Sequence, residues 1–203
     1  MTSRGRAIIL AVVVTSSFST GCATFRGGLV TPVDNWPPTA PEVRKSISVT
    51  VRMERHLDLG PSSGPAPVSE DELNQMRGRV WAQYEDSGLF SDVKTGLESS
   101  DLRADVRIDH HEWGSAAGAV LSGLTLMLVP IKVQVDDYTM TTTFKNGDGQ
   151  VLGVIEKKEK LDTWFQLFLV VVAPFKFVLS QANAATTDLV RSTIEEAHGR
   201  RII

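Results

Sequence analysis

The residues best equipped for chemistry stand in two short clusters, His110-His111-Glu112 and Asp136-Asp137. Imidazole and carboxylate are the ligand types of zinc and related ions, and paired carboxylates can divide acid and base roles. Spacing restricts both uses. Neighbouring residues of a strand point to opposite faces, so only His110 and Glu112 can converge, and they reach Asp136 or Asp137 only through a favourable fold. The H-E-x-x-H spacing of zinc hydrolases is absent. The expectation is a polar strand end at 110–112 and a solvated bulge at 136–137. The run Glu156-Lys157-Lys158-Glu159-Lys160 mixes both signs and reads as a solvated edge that discourages strand aggregation. No G-x-S-x-G elbow, P-loop, dinucleotide fingerprint or C-x-x-C pair occurs. The reading is therefore a non-enzymatic protein with no cofactor and no metal.

The elements that must position these residues follow from periodicity. Ser46 to Met53 alternates Ile47, Val49, Val51 and Met53 on one face, as a half-buried strand does. Asp58 to Val68 is dense in Gly, Pro and Ser and reads as a loop. Ser69 and Glu72 form a capping box, and Leu73, Met76, Val80 and Tyr84 follow at helical spacing, with Gly88 as the stop. Leu89, Phe90 and Val93 lead into a short strand, 104–112 alternates again, and 133–144 and 151–160 flank Asn146-Gly147-Asp148-Gly149, a hairpin-turn signal. Gly147 is the turn position expected to need positive φ. A second helix spans 180–197, with Ala182, Ala185, Leu189 and Ile194 as its stripe. Strand runs with two helices predict an α+β domain, an antiparallel sheet of about five strands with both helices on one face.

Two apolar blocks remain. Residues 114–131 carry no charge, and 164–179 are interrupted only by Gln166 and Lys176. One enters the first strand of the hairpin and the other leaves the second, so both emerge at its open end and could form one apolar lobe. Three readings stay open: buried core, a surface lying on or dipping into a membrane, or a docking face for a partner protein. The contact candidates are Leu124, Leu126 and Leu128 in the first block. In the second they are Trp164, Phe165, Phe168, Leu169 and Phe175.

The beginning of the chain supplies an address. Arg4 and Arg6 precede the continuously apolar Ala7–Val14, and small polar residues follow up to Gly21. That is the layout of a secretory signal, and the apolar run is far short of the roughly 20 residues needed to span a bilayer. The sole cysteine, Cys22, excludes a disulfide within the chain. Ser19-Thr20-Gly21-Cys22 resembles the bacterial lipobox, with Ser19 where Leu is usual. The resemblance covers only these first residues and implies cleavage before Cys22 and acylation of its sulfur. Ala23, in place of Asp, implies sorting to the outer membrane. Residues 22–46, rich in Pro and Gly, then read as a tether, and 47–203 as one domain. The formal net charge of −3 argues against nucleic acid as a partner. The expected function is a membrane-anchored envelope lipoprotein acting through protein or membrane contacts, such as an accessory of an assembly or transport system. Small envelope and transport-accessory lipoproteins resemble it in order of elements alone. The alternative is a periplasmic module that binds a lipid or other apolar ligand.

Overall fold

The structure, a computed structural model, describes residues 22–60, 63–114, 120–121, 129–166, 169 and 177–203. Residues 1–21, read above as a secretory signal, lie outside them. Among the described residues are seven strands and two helices. The strands are β1 (Cys22–Arg26), β2 (Ile47–Asp58), β3 (Ser63–Ala66), β4 (Val93–Thr95), β5 (Leu102–Gly114), β6 (Ile131–Asn146) and β7 (Val151–Phe165). The helices are α1 (Glu70–Asp86) and α2 (Val178–Gly199). The sheet runs β1-β7-β6-β5-β2-β3, and β4 pairs with the start of β2. Most pairings are antiparallel, but β2 lies parallel to both β5 and β4. The α+β class holds, while the strand number and the fully antiparallel pairing are corrected. The extra strands β1 and β3 are short edge pieces: β1 has a partner distant in sequence, and β3 is too short and too rich in Gly and Pro to show a strand period.

Both helices cover one face. Ser69 caps α1 by accepting a hydrogen bond from the Glu72 amide (3.2 Å), and Met76, Val80 and Tyr84 are buried. Gly88 then turns the chain with φ 63°, which favours glycine. Ala185, Leu189, Val190, Ile194 and Ala197 form the buried stripe of α2. Beneath them lie Ile47, Val49 and Val51 of β2, the inward residues of β5 from Leu102 to Ile108, Met140 and Phe144 of β6, and Ile155 of β7. Among the described residues no helix covers the opposite face of the sheet, which carries exposed pairs such as Arg107 to Glu54 (3.0 Å) and Lys158 to Glu156 (2.9 Å).

Several local expectations change. The 58–68 loop contains β3, folded back on β2. The β6 bulge lies between Lys132 and Gln134, and the ladder runs regularly through Asp136 and Asp137. The charge run lies on β7 beyond the reach of β1, whose pairing ends at Leu161, so it keeps an open edge as expected, but Glu159 within it is buried. The segment read as a tether opens with β1, in which Ala23 and Thr24 are fully buried, and Val30 and Trp36 further along pack on the core. Arg191 sits over the Trp36 ring at 5.1 Å. At the hairpin the turn is where expected, with the Gly149 amide bonded to the Asn146 carbonyl at 3.0 Å, but it is Gly149 that has positive φ (87°), not Gly147.

Candidate functional site

The functional candidates gather at the open end of the sheet, where β5 stops, β6 starts and β7 stops. Register makes this explicit. Cys22 stands opposite Phe165, and Phe165 stands opposite Ile131 on its other side. Gly114 faces Gln134 two rows inward. The cysteine and the exit points of both apolar blocks thus share one edge. Cys22 is half-buried, and burial pushes its thiol pKa up. One residue in, Trp164 pairs with Ala23 and Lys132, and the Lys132 ammonium lies 5.3 Å from the Trp164 ring and 2.8 Å from Asp162.

Of the apolar candidates, Trp164, Phe165 and Leu169 are half-buried, while Leu124, Leu126, Leu128, Phe168 and Phe175 lie outside the described residues. Val120, Val129, Phe177 and Leu179, on or beside the two blocks, each expose more than half of their surface. Among the described residues no helix is long and apolar enough to cross a membrane.

Behind this edge the helix-covered face turns polar. Alternation along β5 carries the core face from Ile108 to His110 and Glu112. Because the bulge falls at 133, Asp136 points to the same face as Tyr138 and is buried, against the expectation of a solvated position. His110 Nε2 and Asp136 Oδ1 are 2.8 Å apart, both residues only 4% exposed, and Gln134 donates to the same carboxylate at 3.1 Å. Tyr138 stacks on the His110 ring with centroids 4.3 Å apart and planes 9° from parallel. Burial, and next the Asp136 charge, push the Tyr138 pKa up. Arg55 donates from Nε to His110 Nδ1 (3.5 Å) and pairs with Glu72 at the start of α1. With Nδ1 accepting, the His110 proton sits on Nε2 and faces Asp136. Glu112, opposite Asp136 in the ladder, completes a group in which one ligand atom each from His110, Glu112 and Asp136 lies within 4.8 Å of the others. His111 and Asp137 point the other way. His111 stacks on Trp113 at 4.0 Å, and the Trp113 indole donates to Asp137 at 3.2 Å.

One row further across the sheet lies a second buried acid. Glu159 accepts from the Lys160 amide (2.9 Å), from Arg26 (2.8 Å) and from the Leu29 amide (3.3 Å), and Arg26 also binds Asp188 of α2. Burial alone would raise the Glu159 pKa, but these donors outweigh it and hold the group below its ordinary range. Four residues further along β7, the Thr24 and Thr163 hydroxyls are 2.8 Å apart.

Sequence reasoning made the meeting of His110 and Glu112 with Asp136 or Asp137 conditional on the fold, and it missed Arg55, Glu72, Gln134, Tyr138, Arg26 and Glu159 as members of inward polar clusters. A signal was present in two of these. Arg55 continues the inward series Ile47, Val49, Val51, Met53, and Glu159 sits between inward Ile155 and Leu161. A charge at a core position asks for a partner.

No protein-family model matches this chain, and none of the curated proteins matches it. Among solved structures, a minor lipoprotein from Acinetobacter baumannii superposes with a TM-score of 0.39 at 10% identity, over 79% of this chain and 96% of that one. A dodecameric PelC from Paraburkholderia phytofirmans gives 0.36 at 10% identity, over 84% of this chain and 94% of that one. Both scores are too low to bear on what this chain does.

Proposed function

We propose that this chain is a lipid-anchored protein of the bacterial cell envelope, attached through Cys22 to the outer membrane, and that it acts by contact and not by catalysis. The observation that supports the reading is the shared edge of Cys22, Phe165 and Ile131. Acyl chains on the Cys22 sulfur enter the bilayer at the end of the sheet from which both apolar blocks leave. Two or more chains suffice for stable attachment, at about 0.8 kcal/mol per buried methylene. Trp164 and Lys132 beside the cysteine are residue types that settle at the membrane–water boundary. With β1 starting at the cysteine itself, the domain rests on the membrane without a spacer.

Cys22→Ser tests this in the full chain, since truncation to residue 25 would strip Ala23 and Thr24 from the sheet. The variant is expected to take up no radiolabelled palmitate and to leave the membrane fraction. Palmitate uptake at the wild-type level would overturn the anchor. Co-purification of a stoichiometric lipid with a soluble serine variant would instead favour the apolar-ligand module.

A further inference from the structure

We propose that His110, Glu112 and Asp136 hold a divalent transition-metal ion of the zinc type. The inference is independent of the anchor at Cys22. Glu112 and Asp136 are direct cross-strand partners, and like charges so placed repel. The second buried acid shows how this fold treats a carboxylate when the chain supplies the countercharge. Glu159 has Arg26 and two backbone amides. Nothing comparable serves the pair. Among the described residues no lysine or arginine bridges to Glu112 or Asp136, and the Glu112 carboxylate makes no hydrogen bond or ion pair. Arg55, the nearest guanidinium in the cluster, is committed to Glu72. A dication between the two carboxylates balances both charges.

The ligand set suits such an ion. One imidazole nitrogen and two carboxylate oxygens are zinc ligands, and three protein ligands leave a fourth position open. The outer contacts that hold ligands in place are also present. Gln134 orients Asp136, and Tyr138 fixes the plane of His110. The ion takes Nε2, the nitrogen that now faces Asp136. The single imidazole proton moves to Nδ1, so Arg55 gives up its long contact there while keeping Glu72. Glu112 is only half-buried, which gives the ion a way in.

The test uses the untagged full chain in detergent, stripped with chelator and titrated with zinc by calorimetry, with cobalt as the optical probe. One ion per chain is expected, with a tetrahedral cobalt spectrum. Glu112→Gln should weaken binding at least about tenfold while leaving the circular dichroism unchanged, and Asp136→Asn should weaken it as much. His111→Ala, on the opposite face of the sheet, should leave binding intact. Absence of zinc binding, equal affinity in Glu112→Gln, or loss of binding in His111→Ala would each overturn the proposal. If Asp136→Asn fails to fold, Glu112→Gln alone decides.

Discussion

The two ends of the sheet are built on opposite principles. At the turn end, Ile47, Leu102, Phe144 and Ile155 meet the C-terminal halves of both helices in an apolar core, closed by the hairpin. At the open end the same strands carry Arg55, His110, Glu112, Asp136, Tyr138 and Glu159 inward. The difference teaches that burial at the open end serves positioning. A protein seeking stability alone would have continued the apolar rows, because buried charge pairs seldom stabilise more than apolar packing of the same volume.

The contrast is broken most severely from the turn end. Phe144→Ala empties a site that is 0% exposed. It should cost about 3–5 kcal/mol, lowering the melting temperature by roughly 10 °C, with zinc binding at the open end unchanged at temperatures where the fold persists. Calorimetric melting of the variant measures it.

At the open end the expected effect is smaller and depends on pH. Glu159→Gln neutralises a side chain that is 0% exposed, and because Arg26 keeps Asp188 the loss near neutral pH should be about 2 kcal/mol. Because the folded pKa of Glu159 is depressed, its contribution is present above the unfolded carboxylate pKa and is lost as pH falls through the folded value. Stability of the wild type should therefore decline through the acid range more steeply than that of the variant. Parallel denaturation curves at neutral and acidic pH would refute the assignment.

The smallest effect sharpens the turn itself. Gly149→Val forces a β-branched residue to φ near 87° and should cost about 1–2 kcal/mol. Gly147 has no such backbone demand, although a Cβ there would lie 3.2 Å from the Ser100 carbonyl oxygen. Gly147→Ala should therefore cost less than Gly149→Ala in the same chemical denaturation series.

By itself the sequence determined what depends on neighbours along the chain. The capping box at Ser69, the stripes of α1 and α2, the alternation of β5 and the turn at 146–149 were legible, because periods of 3.6 and 2 and the chemistry of caps are local. Pairing between distant segments was decided only by the tertiary structure. Nothing near Cys22 announces that β1 will lie against β7, or that β2 will run parallel to β5. Nor does local alternation place the bulge at 133, which sets the side on which Asp136 falls. Moving a bulge shifts every later residue of a strand to the other face, so that one register choice brought Asp136 to His110 and Glu112. The residue types were visible in advance, but their meeting depended on hydrogen bonds between strands that the chain brings together only on folding.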